Sequence, residues 1–488
     1  MAKMTLYETL AQDYIHRIQI GELPSGSRLP ALRVLAKQHA VSMTTANKTY
    51  AYLEATGWIF AQPQSGFFVS QQAVETETPT MPTFKAAKRD PKSHTPTAGY
   101  NSKVDFFCPL GTAMLAPSLQ PKTQLKRAIK RSTARLSDKM FFYPNIQGEQ
   151  TLRRALAAHF YKEHFAFQAE ELTITHGCID AVRLALETTT KVGDTIAISS
   201  PCFNGLLDLL VSLSRNVVEI TSTKDGLDLD KLEQEMKAQR IQACLFNSTH
   251  MNPSGVSLSI EQKRRLAELA AAYRIPIIED DVYFELSHYG KPPLPIKHWD
   301  HSGYVIWCGS FSKSLAEGAR VGWCLPGYYF NAYLQRQKLE NYGVNYLMQT
   351  SLAEFVYSGE YRTHINKTRL NLSHQIQQYR QLLKDHLPDG VRISRPEGGL
   401  VLWVQLPQLR GDWLEQKAKA EAIDIRSGAN FSTHSFYQDC FRINCGWPLD
   451  EIDQYNAISA RTQLLRLCEL VTQYFSPQKV FLEEPKIQ

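Results

Sequence analysis

Across 488 residues there is no CxxC pair and no HExxH, and the nine cysteines follow no disulfide-like rhythm. In a chain this long they read as reduced thiols of a cytoplasmic protein. His159 and His164 enclose Tyr-Lys-Glu at the wrong spacing for a zinc pair, so no metal is expected. No stretch approaches the roughly 18 consecutive apolar residues of a membrane helix. The opening MAKMTLYETLAQDY mixes charge with apolar residues at helical spacing, unlike a secretion signal. Internal repeats are absent too. Residues 71–103 are nearly empty of aliphatic side chains and rich in Thr, Pro, Lys and Ser, so they read as a flexible linker.

Around that linker the composition is ordinary for a globular protein, 43% hydrophobic and 21% charged. A net charge of +6 permits a nucleic-acid partner without demanding one. The expected organisation is a small domain over 1–70, the linker over 71–103, and a large domain over 104–488. From Val104 onward short apolar runs alternate with longer helical patterns, which predicts an α/β domain built on a mostly parallel sheet.

In the small domain, Leu6, Leu10, Tyr14 and Ile18 recur at steps of four and predict one apolar helix face. ALRVLAKQHA (31–40) is a second helix. Ser42 is suited to cap a third, over roughly 43–56, that packs through Ala46, Tyr50 and Leu53. Its other face carries Thr44, Thr45, Asn47 and Lys48, short polar groups able to meet base edges and phosphates. Gly57 stops the helix, and 58–60 and 67–69 predict two strands around a turn at 62–66. From GELPSGSRLP to QSGFFV the segment resembles the winged helix-turn-helix of the GntR family. The resemblance implies double-stranded DNA as partner, with contacts from Arg33, Thr44, Thr45 and Asn47 and from Ser65 and Gly66 at the wing tip. Met43 stands where some members place an arginine. Arg28 and Lys48 are phosphate contacts or plain solvated charges.

The large domain places chemistry at strand ends, where open α/β sheets bind ligands. LTIT leads to His176-Gly177-Cys178, IAIS to Ser200-Pro201-Cys202-Phe203, and CLFN to HMNPSG (250–255). IPII leads to Glu279-Asp280-Asp281-Val282-Tyr283, and VIWC to Gly309-Ser310-Phe311-Ser312-Lys313, with Arg320 beyond. A lysine at such a place can form a Schiff base with an aldehyde. A carboxylate such as Asp280 keeps a pyridine nitrogen protonated and the ring electron-poor. Phe203 can stack on a ring, and Asn252 and Tyr283 can donate to a phenolate. Ser310, Arg320 and the amides after Gly177 can hold a phosphate. Singly, Lys313 reads as a surface charge, Asp280 as a helix cap and Asn-Pro-Ser-Gly as a turn. Their joint order points to one cofactor site.

On these residues, 104–470 resembles a fold-type I aminotransferase, and the whole chain resembles the MocR subfamily of regulators. The resemblance implies pyridoxal 5'-phosphate held as an aldimine on Lys313, with Asp280 on the pyridine nitrogen and Phe203 on the ring. It implies Asn252 and Tyr283 at the phenolic oxygen, and Gly177, Cys178, Ser310 and Arg320 at the phosphate. Tyr143 resembles a tyrosine that reaches the phosphate from the other subunit of a head-to-tail homodimer. Arg442, in CFRINCG, resembles the arginine that grips an amino acid's carboxylate, a buried structural ion pair being its rival. His176 and Asp180 depart from the common pattern, and Asp180 is expected to face away from the phosphate. Gly398-Gly399 fits a small domain closing over the site. Two functions follow: a regulator sensing an amino acid, an amine or the cofactor itself, or an aminotransferase with an accessory DNA-binding head.

Overall fold

The computed structural model describes residues 5–19, 22–24, 26–62, 66–70, 77–89, 110–288, 292–452 and 458–476. The amino-terminal unit has three helices, α1 (Leu6–Gln19), α2 (Leu32–Gln38) and α3 (Met43–Ala55), followed by strands β1 (Ile59–Gln62) and β2 (Gly66–Val69). The strands pair antiparallel, Ile59 opposite Val69 and Gln62 opposite Gly66. Leu10, Tyr14, Ile18, Leu35, Ala46, Tyr50, Leu53 and Val69 form one buried cluster. Leu6, expected on the buried face of α1, is exposed instead, because it sits in the first turn beyond the reach of that cluster. Ser42 caps α3 as its sequence position suggests, its hydroxyl accepting from the Thr45 amide at 3.0 Å. Ser42→Ala is therefore expected to lower the unfolding free energy of this unit by about 1 kcal/mol. Urea unfolding of the full chain, followed by far-ultraviolet circular dichroism, measures it.

The large unit carries an eight-stranded sheet. Its strands are β3 (Thr173–Thr175), β4 (Thr195–Ser200), β5 (Asn216–Thr223), β6 (Gly226–Leu227), β7 (Ala243–Phe246), β8 (Ile277–Asp280), β9 (Val305–Ser310) and β10 (Gly322–Leu325). The order is β3-β10-β9-β8-β7-β4-β5-β6, with β9, β8, β7, β4 and β5 parallel and β10 reversed between β3 and β9. Strands β8 and β9 run two residues further than their apolar runs suggest, so Glu279-Asp280 and Gly309-Ser310 belong to the sheet itself. Helices α4 (Lys122–Ala134), α5 (Gln150–Lys162), α6 (Cys178–Thr189), α7 (Asn204–Ser212), α8 (Leu229–Lys237), α9 (Ile260–Tyr273), α10 (Phe330–Asn341) and α11 (Tyr346–Tyr357) complete this layer. Buried clusters lie on both sides of the sheet, which explains why its strands read as continuous apolar runs.

The long α12 (Glu360–His386) leads to a second, antiparallel sheet. It is formed by β11 (Arg392–Ile393), β12 (Val401–Gln405), β13 (Arg426–Ser427) and β14 (Cys440–Asn444) in the order β11-β12-β14-β13. Helices α13 (Gly411–Ala420) and α14 (Ala460–Phe475) contribute Leu414, Leu464 and Leu467 to the core beside it. The middle of α12 meets the amino-terminal unit, where His374 Nε2 lies 3.8 Å from Glu54 Oε2.

The flexible linker expected over 71–103 is corrected for its described part, because 77–89 is docked. The Ile393 amide donates to the Glu77 carbonyl, extending the small sheet's edge, and Arg392 Nε meets Glu77 at 2.9 Å. The Thr80 amide donates to Gln405 Oε1 at 2.8 Å. Phe84 lies 4.7 Å from Phe436 between ring centroids, and Arg89 pairs with Val217 on β5. Composition misses this docking because it uses backbone groups and a few apolar anchors, Met81, Phe84 and Ala86, rather than a periodic face.

Candidate functional site

Strand direction brings the site together. β3, β4, β7, β8 and β9 point the same way, and their carboxyl ends carry Gly177-Cys178, Phe203, Asn252, Asp280 with Tyr283, and Ser310 with Lys313. Lys313 stands three residues past β9. Its ammonium donates to the Ala113 carbonyl and to Glu317 Oε1, each at 2.6 Å.

Asp280 is buried and makes no ion pair among the described residues. Burial pushes its carboxyl above the usual range, against the opposing pull of the Cys178 thiol, the Val282 amide and the Lys313 charge. The thiol donates to Asp280 Oδ1 at 3.0 Å. A buried carboxylate held this way suits a cationic N–H placed before it.

Gly177 precedes α6 with φ of +100°. A Cβ there would lie 2.7 Å from an Arg320 guanidinium nitrogen, which itself donates to the His176 carbonyl at 2.9 Å. Glycine is thus required both by backbone conformation and by the guanidinium packed against it. The first turn of α6, which has no side-chain cap, buried Ser310 and Arg320 are groups of the kind that can hold an anion. Asp180 accepts from the His176 amide at 3.0 Å and pairs with Arg183 at 3.0 Å. Burial raises its pKa, but those contacts outweigh it and hold the carboxyl below its ordinary value. His176, an odd residue by sequence, is half-buried and offers its backbone to both Arg320 and Asp180.

A chain of polar contacts crosses from the large sheet to the small one. Asn252 Nδ2 donates to the Tyr283 hydroxyl at 3.2 Å, and Arg442 donates to Asn252 Oδ1 at 2.9 Å. Arg442 also donates to the Gly111 carbonyl and lies 5.1 Å from the Phe431 ring centroid. Among the described residues its Nε has no partner and it makes no ion pair, which sets aside the structural ion pair weighed above. Burial lowers its pKa to about 10. Burial likewise pushes the Tyr283 phenol up. Phe203 is half-buried at the start of α7 and packs on the cluster that contains Cys178. Tyr143 stands outside this group, 84% exposed and paired with Tyr342 at 5.6 Å between centroids.

Several contributors escape sequence reasoning. Glu317, four residues after Lys313, had only its helical spacing to announce it. The Cys178 thiol and the Gly111 and Ala113 carbonyls had no signal at all. Nor did a buried network behind the lysine: Ser314 shares a 2.7 Å contact with Tyr361, Tyr361 donates to Glu285, and Glu285 meets His159 Nε2 at 2.6 Å.

In the amino-terminal unit, Met43, Thr44, Asn47 and Lys48 line the exposed side of α3, and Arg33 is exposed on α2. Thr45 is half-buried and engaged with the Ser42 cap. Gly66 opens β2 with φ of +105°, close to the Arg28 guanidinium. Ser65 lies outside the described residues.

A helix-turn-helix reader thus shares its chain with an aminotransferase-type ligand site. The family description for aminotransferase class I and II matches residues 115–456, and that for bacterial regulatory proteins of the gntR family matches 6–69. The HTH-type transcriptional regulator YdcR of Escherichia coli (strain K12) is 31% identical over 92% of this chain and 97% of its own. YjiR, of the same organism and description, is 31% identical over 92% of this chain and 96% of its own. A multiple substrate aminotransferase from Thermococcus profundus superposes with a TM-score of 0.67 at 25% identity, over 77% of this chain and 92% of that one. The chain belongs to the aminotransferase class I and II family and, joined to its GntR-type head, has the MocR regulator architecture. Pyridoxal 5'-phosphate is the cofactor of this class. The residues present fit it: a buried carboxylate with no ion pair among the described residues, an Arg320 guanidinium packed where a Cβ on Gly177 would stand, and a lysine at the strand end. Among the described residues no helix is long and apolar enough to cross a membrane.

Proposed function

We propose that this transcription regulator reads an amino acid or amine through Lys313 and converts it into a change of DNA affinity. The observation that carries the proposal is the presence, in one chain, of the Lys313–Asp280–Arg320 cluster and a helix whose Thr44 and Asn47 face solvent. The cofactor supplies an aldehyde that captures amines and a ring that withdraws electrons. Asp280 holds the proton on the ring nitrogen, and Asn252 and Tyr283 orient the phenolic edge. The cradle of Gly177, Cys178, Ser310 and Arg320 fixes the phosphate, with Phe203 on the ring face. Glu317, which accepts from Lys313 Nζ, would keep that amine beside the site. Arg442 offers a buried cation to a carboxylate, which favours amino acids over simple amines. On the DNA side, Arg33, Thr44, Thr45, Asn47, Ser65 and Gly66 contact the duplex. Leu136, Met140, Phe141 and Phe142 are exposed beside Tyr143, an apolar surface suited to a homodimer in which Tyr143 reaches the partner's phosphate.

The test joins spectrum to DNA binding. Wild type is expected to show the visible band of lysine-bound cofactor, and Lys313→Ala to lose it. In gel shifts on the gene's own upstream region, an effective amine should move wild-type affinity by roughly 5- to 150-fold, the usual range for coupled sites. Lys313→Ala should not respond. No band in wild type, or an equal response in the variant, defeats the proposal. The second reading, an aminotransferase with an accessory head, draws on the same residues. Steady turnover of an amino acid with a keto acid at ordinary enzymatic rates would favour it.

A further inference from the structure

A cavity of about 240 Å³ lies among the docked linker, the loop after Asn252 and the loop at Ser394–Glu397. None of its lining residues belongs to the cluster around Lys313. Its side chains are mostly donors. Lys224 and Arg395 are exposed at its rim, and neither forms a hydrogen bond or ion pair among the described residues. Ser254 and Ser394 are buried. Their oxygens accept from the Val256 and Trp403 amides, and neither hydroxyl proton has an acceptor among the described residues. Trp403 backs the floor and is fully buried, its indole N–H closed off from the cavity. Buried hydroxyl donors in folded proteins are nearly always satisfied, so the two serines signal a missing acceptor. Against two cations the lining sets one carboxylate, Glu397. The charge of Glu397 is felt by Tyr52 of α3, whose phenol it helps to raise after burial.

We infer that this cavity is a second, non-covalent site for a small dicarboxylate. One carboxylate lies between Lys224 and Arg395 at the rim. The other accepts from the Ser254 and Ser394 hydroxyls at the floor. A Lys–Arg pair with hydroxyl donors matches the planar, acceptor-only geometry of a carboxylate. The site differs in kind from the Lys313 site, since its occupant needs no amine. Its roof is the linker, through Thr78, Pro79 and Met81, so binding there bears on the segment that leads to the DNA-binding unit.

Succinate is the probe, because it has no amine to react at Lys313. Calorimetric titration of the full-length, cofactor-loaded protein is expected to show saturable binding. Lys224→Gln with Arg395→Gln should weaken it at least tenfold; both residues are exposed, so folding is preserved. Ser254→Ala removes one donor at the floor and should weaken binding several-fold. Arg442→Lys should leave it within about twofold, with the visible cofactor band serving as a check on the loaded site. Absence of binding at millimolar succinate overturns the inference. So does binding that survives the double variant, or binding that Arg442→Lys abolishes, since the acid would then be occupying the Lys313 site. Loss of the cofactor band with succinate binding intact would count against the Lys313 proposal and leave this one standing.

Discussion

Asp280→Asn is expected to reduce affinity for pyridoxal 5'-phosphate by roughly 10²- to 10³-fold. Breaking one side of a buried charged pair costs about 3–5 kcal/mol, and 1.4 kcal/mol is tenfold in binding. The amide keeps the carboxylate's volume, and its oxygen can still accept from the Cys178 thiol that Asp280 holds at 3.0 Å. Only the negative charge facing the ring nitrogen is lost. The effect on the cofactor-free protein should have the opposite sign. There the carboxylate is buried with no ion pair among the described residues, and its pKa is raised by that burial. Removing the charge should therefore leave the cofactor-free variant as stable as wild type or more so. Titration of cofactor-free protein followed in the visible range, with thermal melts of the same samples, measures both. Wild-type affinity in the variant would remove Asp280 from the site.

The second large effect is a dependence on acid centred on His288. Its ring Nε2–H donates to the Gly399 carbonyl at 2.9 Å, and burial lowers its pKa from the ordinary 6.5 to about 4. A histidine whose folded pKa is depressed contributes its full stability above the unfolded value and loses it as pH falls toward the folded value. From pH 7 to pH 4 that loss is on the order of 3 kcal/mol. Other buried groups titrate over the same window, and raised carboxyls such as Asp280 act in the opposite direction. The comparison with His288→Gln isolates the residue. The variant's stability deficit at pH 7 should shrink by roughly that amount at pH 4 in urea unfolding. A deficit that stays constant with pH would show that His288 is not buried in neutral form.

Much of the architecture was legible because its pattern is local. The step-of-four spacing of Leu10, Tyr14 and Ile18, the Ser42 cap, and the apolar runs that became β3, β4, β7, β8 and β9 each depend on residues close in sequence. The site was legible for a related reason, since strand ends collect at one edge of a parallel sheet whatever the loops between them do. What escaped depends on distant partners. Cys178 meets Asp280 across 102 positions and Lys313 meets Ala113 across 200, and no periodicity encodes either contact. The docked stretch 77–89 escaped for a different reason. Low aliphatic content predicts that a segment cannot form its own core, yet it says nothing about whether a neighbouring sheet edge will hold it. Arg442 was identified by motif, but its engagement with Asn252 and Gly111 follows from β14 lying between β12 and β13.

Helix α12 touches both ends of the proteins's business. Near its start, Tyr361 and His364 bond to Ser314, the residue after Lys313. In its middle, His374 lies against Glu54, and Gln377 lies under Gly57 where the DNA-binding unit turns into its wing. Thirteen residues separate Tyr361 from His374, roughly 20 Å along an uninterrupted helix. A continuous helix is stiff over that distance, so it behaves as a rod and not as a string. One rod thus joins the loop after Lys313 to the base of the amino-terminal unit, with side-chain contacts at both places.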